Sequence, residues 1–481
     1  MIRIERGISI ACLVVLGMLI AGGTCAASAA NLRKIVVFAD GTPWQVQQQV
    51  IARSGSQVLN VLSLINGVAI QLPAQSAAQA LSTLQADPTV EGVYDDPTIA
   101  AQGVGSISAD GIVIFIQPAP APTQEAYGWG LARIGISEIQ ADYPGLDGSG
   151  VKVAILDTGI DINHPDLKPN IIGGVNARAG ADPRNYQDDN GHGTHIAGII
   201  AAREHNGANK HGVIGAAPHI LIYAIKVLDQ NGAAQVSDLI SGLGWVRANN
   251  INLVNMSLGF PQEWGPYPAL EKAIKLLYDA GVIMVAAAGN RNPRPVPIAQ
   301  TNGGDTNGGD TSCSTSQSLV PDEMTAQTNG GDTNGGDSTP FCYKTTMVKD
   351  PAAYPWVIAV GATDEHDLVA NYSRSGPEMA AHGVVAPGGS SSRDLSGVLT
   401  EGILSTNLGG GYGLAVGTSQ ATAHVTGTIA LALQLQRNLT FQDILALLRS
   451  TATSNGLSAN WQGAGVIEAD SVVNALQPGH K

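Results

Sequence analysis

The stretch AVGTSQATAHVTG, Ala415 to Gly427, sets a serine between small residues at the mouth of a helix. Ser419 follows Gly417 and Thr418 and leads into a long apolar run. A serine hydroxyl is a poor nucleophile until a positioned base accepts its proton, and no carboxylate lies near Ser419 in the chain. Of the ten histidines, His424 is five residues along the same helix. It projects from a different part of that helix surface and reads as a packed residue. His192, in NGHGTHIAGIIAA, is the better base. It sits between Gly191 and Gly193 just before a helix, where the flanking glycines let the backbone pass close to other elements and leave the ring unobstructed. His195, three residues on, reads as structural.

An imidazole acting as base needs a third group to hold its tautomer and stabilise its cation. Asp157 ends the apolar run VKVAILD, with Thr158-Gly159 turning the chain, and ends of parallel strands are where such sheets build sites. Asn290 closes GVIMVAAAGN, where its amide can donate to a developing oxyanion. Ser257, Leu258 and Gly259, in NMSLGF, end another strand and can pair with an extended peptide. With them, Ala287 to Gly289 are expected to wall a substrate pocket. Singly, each residue has a plainer role: Asp157 as a helix cap, Asn290 as a turn residue. The ordered set carries the chemistry.

Elements able to hold such a set are legible along the chain. VKVAILD, ILIYAIKVL, INLVNMSL, GVIMVAAAG and WVIAVGA are near-continuous apolar runs separated by helical patterns. Runs apolar on both faces indicate an α/β fold, a mostly parallel sheet covered by helices on both faces. A smaller α+β unit precedes it, a strand-helix-strand-strand-helix-strand pattern within 32–97, with a hairpin expected at Asn66-Gly67. The Gly-, Ala- and Pro-rich stretch 98–128, containing QPAPAPTQ, reads as a linker. The larger unit spans 129–476 and is interrupted at 291–350, where QTNGGDTNGGD occurs twice without apolar periodicity.

At the N-terminus, Arg3 and Arg6 precede ISIACLVVLGMLIAGG and the small residues AASAA. This predicts a signal peptide over 1–29, and so a secreted or extracytoplasmic protein with no stable membrane anchor after its removal. Cys12 and Cys25 leave with it, and the remaining pair, Cys313 and Cys342, reads as a disulfide in an exported chain. The net charge of -14 excludes nucleic acid as a partner.

DTGI, HGTHIAG, NMSLG, AAAGN and GTSQATAHVTG, in that order, resemble the subtilisin-like serine protease family. The resemblance runs from about Trp129 to Leu476, and the preceding unit resembles that family's inhibitory, ferredoxin-like propeptide. It implies a secreted serine endopeptidase made as a self-processed precursor, with its own propeptide as inhibitor and peptides or proteins as substrate. It implies a triad of Asp157, His192 and Ser419, an oxyanion contribution from Asn290, and a substrate site at Ser257, Leu258, Gly259 and Gly289. Asp166, in NHPDL, matches the family's calcium aspartate, so a structural calcium is expected there and no cofactor for catalysis. The companion loop, Arg203 to Gly215, is altered in length. Ala423 stands where the family has proline, and Gln420 where it often has methionine. The alternatives are a processing protease of narrow specificity and a catalytically silent binding protein on the same fold.

Overall fold

The computed structural model describes residues 32–101, 105–108, 111–114, 116–204, 211–260, 267–291, 324–327, 341–344, 347–394 and 399–477. The N-terminal unit comprises β1 (Arg33–Phe38), α1 (Trp44–Ser54), β2 (Gln57–Leu62), β3 (Gly67–Gln71), α2 (Ala77–Gln85) and β4 (Val90–Asp95). Its strands form an antiparallel sheet in the order β2-β3-β1-β4. The turn at Asn66-Gly67 is longer than a two-residue hairpin. β2 stops at Leu62, a 3-10 turn covers Ser63–Ile65, and Asn66 takes the left-handed φ of 49° that asparagine tolerates.

Alternation along β1 gives this sheet two apolar faces. Val36 and Phe38 pack with Val50, Ile51, Val68, Ile70 and Leu84, beneath the unit's own helices. Ile35 and Val37, with Leu62, Ile65 and Ala69, join a core of the larger unit instead. Asp96 then anchors the junction. Its carboxylate accepts from Ser237 N (2.8 Å), Ser237 Oγ (2.8 Å) and Arg33 Nε (3.1 Å). Burial pushes this carboxyl above its ordinary range, while the Ser237 bonds and Arg33 pull the other way.

The stretch 98–128, expected as a linker, is corrected. It holds β5 (Thr98–Ala101), β6 (Gly105–Ser108), β7 (Gly111–Ile114), β8 (Gln117–Ala119) and β9 (Ala126–Tyr127). Thr98–Ala101 lies antiparallel between Ala233–Gln235 and Leu258–Gly259, and Gln117–Ala119 lies antiparallel to Gly411–Ala415. Strands this short show no periodicity, and the partners of β5, β8 and β9 lie far along the chain, while β6 and β7 pair with each other.

The larger unit opens with α3 (Trp129–Arg133), α4 (Ile136–Asp142), β10 (Lys152–Asp157), β11 (Ile171–Asn176) and α5 (His192–Ala201). Next come β12 (Val213–Ile214), β13 (Leu221–Lys226), β14 (Ala233–Gln235), α6 (Val236–Ala248), β15 (Leu253–Met256), β16 (Leu258–Gly259), α7 (Pro268–Asp279) and β17 (Ile283–Ala287). Within the insertion, β18 (Met324–Gln327) pairs antiparallel with β19 (Phe341–Lys344). The chain closes with β20 (Ile358–Thr363), α8 (Pro377–His382), β21 (Gly383–Pro387), β22 (Ile403–Asn407), β23 (Gly411–Ala415), α9 (Thr418–Leu435), α10 (Phe441–Thr451), α11 (Ala459–Gln462) and α12 (Ala469–Leu476).

Seven strands form one parallel sheet, β11-β13-β10-β15-β17-β20-β21. Successive side chains enter opposite cores, which is why these strands read as unbroken apolar runs. Val153 and Ile155 of β10 pack with Ile196 and Ile200 of α5 and with Val425 and Ile429 of α9. Ala154 and Leu156 pack with Leu239 and Leu243 of α6 and with Leu270 and Ile274 of α7. The α/β fold with both sheet faces covered is the one expected. Among the described residues no helix is long and apolar enough to cross a membrane. The signal segment 1–29 and Cys313 lie outside the described residues, and Cys342 is described in its backbone alone, so the Cys313–Cys342 bridge lies outside them too.

Candidate active site

β10 brings Asp157 to the carboxyl edge of the sheet, where Val227 N and Leu228 N donate to its backbone carbonyl. α5 begins beside it because two glycines allow the approach. A Cβ on Gly193 would stand 2.0 Å from Gly159 O, and one on Gly159, at φ 103°, would stand 2.6 Å from Tyr186 O. With the first turn of α5 seated on the 157–159 turn, His192 Nδ1 lies 2.7 Å from Asp157 Oδ1. Both side chains are fully buried. Nδ1 donates to the carboxylate, so Nε2 is the ring's acceptor, and it has no hydrogen-bond partner among the described residues.

Asp188, which sequence reasoning missed, ties down the start of α5. Its oxygens accept from Asn190 N, Gly191 N, Thr194 N and Thr194 Oγ1. The N-cap position itself is Gly191, which has no side chain to cap with, so the caps come from three residues upstream, where no local pattern marks them.

Ser419 is the second residue of α9 and faces the end of β15. Its Oγ donates to Ser257 O at 2.9 Å, and Ser257 Oγ donates back to Ser419 O at 3.0 Å. Asn255 Nδ2 donates to Ser257 Oγ, and Thr426 Oγ1, two turns along α9, donates to Asn255 Oδ1. This clamp fixes the nucleophile candidate against the Ser257–Gly259 edge. Neither Asn255 nor Thr426 was legible as part of it. Asn290 follows β17, and its Oδ1 accepts from Thr418 N (3.1 Å) and Thr418 Oγ1 (3.0 Å). That anchors the oxygen end and makes Nδ2 the donor end of the amide, beside the N-terminus of α9, where the backbone N–H groups and the helix dipole favour an anion. Gly289 N donates to Thr418 Oγ1 in the same corner.

Asp157, His192, Ser419, Asn290 and Ser257–Gly259 therefore gather at one edge of the sheet. Leu258 and Gly259 form β16, whose edge is taken by the chain itself, with Leu258 opposite Ala101 and Gly259 opposite Ala100. His195 and His424 lie in the core. His195 Nε2 is 3.1 Å from both Ile403 O and Gly413 O, and burial lowers its pKa to about 3. His424 Nδ1 bonds Gln420 O, and burial lowers its pKa to about 4. Gln420 itself is fully buried, with neither amide atom partnered among the described residues.

Asp166 is buried and accepts from Tyr412 Oη at 2.8 Å. A calcium ion takes six to eight oxygens. Among the described residues no group of three or more His, Cys, Asp or Glu side chains gathers at Asp166, and 205–210 of the companion loop lie outside them. No calcium is assigned here.

This is a serine endopeptidase of subtilisin-like α/β fold, acting on peptides or proteins. The Subtilase family matches residues 148–465, and the chain belongs to that family. It is 32% identical to Subtilisin E of Bacillus subtilis (strain 168) over 425 residues, which cover 88% of this chain and 85% of that protein. It is 36% identical to Subtilisin of Bacillus pumilus over 340 residues, 70% of this chain and 97% of that one. An alkaline protease of Shouchella clausii is 34% identical over 375 residues, 78% of this chain and 77% of its own.

Proposed function

We propose that the chain is an exported precursor whose N-terminal unit, Leu32 to Asp96, inhibits the peptidase unit until the connection is cut by the peptidase itself. The observation that carries this reading is β5. It leaves the N-terminal unit directly after Asp96 and fills the gap between β14 and β16, ending at Ala101 opposite Leu258. An extended peptide held in this way is presented to Ser419 through its own backbone. Export is supported by Arg3 and Arg6, the apolar run and AASAA.

In the released enzyme, Ser419 Oγ attacks the substrate carbonyl while His192 Nε2 takes its proton. Asp157 holds the ring through Nδ1 and stabilises the imidazolium. The carbonyl oxygen becomes an oxyanion, to which Asn290 Nδ2 and the α9 terminus donate. The tetrahedral intermediate collapses to an acyl-enzyme on Ser419, and His192 returns its proton to the departing amine. A water molecule then attacks the ester, giving its proton to His192. Ser419 recovers a proton as the acid product leaves.

The test is Ser419→Ala in the full chain, purified away from other proteases. It should accumulate as uncut precursor and fail to react with a fluorophosphonate probe, while the parent chain matures and is labelled. Maturation of purified Ser419→Ala at the parent's rate would overturn self-processing.

A further inference from the structure

A second strand of the chain itself lies along the segment that leads into Ser419. β23 runs through Gly411–Ala415 and reaches Ser419 four residues later. β8 lies antiparallel along it, Gln117 opposite Leu414, Pro118 opposite Gly413 and Ala119 opposite Tyr412. β5 thus ends at β16, directly after the Ser257 that accepts from Ser419, and β8 lies along β23, which leads into Ser419.

Ile116, just before β8, sits in a notch made by two glycines. A Cβ on Gly413 would fall 2.4 Å from Ile116 Cγ2, and one on Gly191 would fall 3.2 Å from Ile116 Cδ1. Gly191 immediately precedes His192. Gln117 adds a side-chain anchor, its Oε1 accepting from Leu399 N at 3.0 Å. Each of these partners of β8 and Ile116 belongs to the peptidase unit. Loss of the N-terminal unit removes none of them. β8 is moreover the edge of its sheet, and Pro118 and Pro120 offer no N–H. Such an edge resists pairing with a further strand.

We propose that β8 and Ile116 stay with the peptidase after maturation and wall the cleft beyond the scissile bond, making Ile116 a specificity-determining residue for the substrate residues that follow it. This rests on the assignment of Ser419 and His192 above. The wall admits small residues next to the cut and crowds bulky ones.

The experiment uses the enzyme matured from the full chain. Intact mass should show that the mature chain retains Ile116. Internally quenched peptides identical up to the scissile bond, with glycine or leucine directly after it, then give a leucine-to-glycine ratio of kcat/KM. Ile116→Ala should raise that ratio roughly tenfold, the scale of a lost contact in an apolar pocket. Gly413→Ala, whose new Cβ dislodges Ile116 from the opposite side, should move it in the same direction. A mature chain beginning after Ile116, or a ratio unmoved in both variants, would overturn the proposal. Failure of the Ser419 assignment would read differently, as undiminished activity in Ser419→Ala.

Discussion

Gly193→Ala tests whether the Asp157–His192 bond depends on α5 resting against the turn after β10. The added Cβ would stand 2.0 Å from Gly159 O and 3.1 Å from Asp157 Cβ, whereas real Cβ atoms essentially never come within 3.0 Å of another heavy atom. Either α5 or the 158–160 turn must therefore withdraw by about 1 Å, and a misplacement of that size costs on the order of 10²-fold in rate. The Asp157–His192 contact is 2.7 Å, so the same shift carries it beyond hydrogen-bond range. Overpacking adds a stability loss of about 1–3 kcal/mol. The assay is kcat on a small chromogenic peptide, normalised to active sites titrated with an irreversible serine reagent, alongside Tm. The variant should fold and titrate slowly, with kcat down about a hundredfold. An unchanged kcat in a folded variant would refute the claim that this glycine sets the geometry of the pair.

Asn290→Ala should fold normally and lose about 10²–10³-fold in kcat, the range known for one oxyanion donor in a protease of this family; near-normal turnover would mean that another group serves the oxyanion. Gln420→Met should raise stability by about 1–3 kcal/mol, because it removes a buried amide with both atoms unpartnered and keeps an apolar stem of similar length. A Tm equal to or below that of the parent would show that the amide is satisfied in solution.

Much of the candidate site was legible because its residues sit in local patterns that imply where they stand in the fold. Asp157 ends an apolar strand, His192 stands between glycines at a helix start, and Ser419 lies among small residues at another. The parallel sheet was legible for a related reason, since strands buried on both faces lose the polar alternation of half-exposed ones. What stayed hidden depends on distant partners. Nothing in NMSLG marks Ser257 O as the acceptor for Ser419, or Thr426 as the support of Asn255. Thr98–Ala101 and Gln117–Ala119 are short segments, the second containing Pro118, and each becomes a strand only because an edge awaits it elsewhere in the chain.

The N-terminal sheet has two apolar faces and helices of its own for only one. The other face lends Ile35, Val37, Leu62 and Ile65 to the larger unit's core. Exposing those four side chains would forfeit about 6–12 kcal/mol at about 1.5–3 kcal/mol each, comparable with the whole stability of a small domain. Docking therefore contributes a large share of this piece's stability, because the peptidase surface buries the face that its own helices leave open. If the proposed cut is made and the piece drifts away, it keeps only the core beneath its own helices and becomes a weakened fold in front of a working protease. Under the proposed self-processing, activation would behave as a fuse: the restraint would be consumed by what it restrained, and no later change of conditions would restore it.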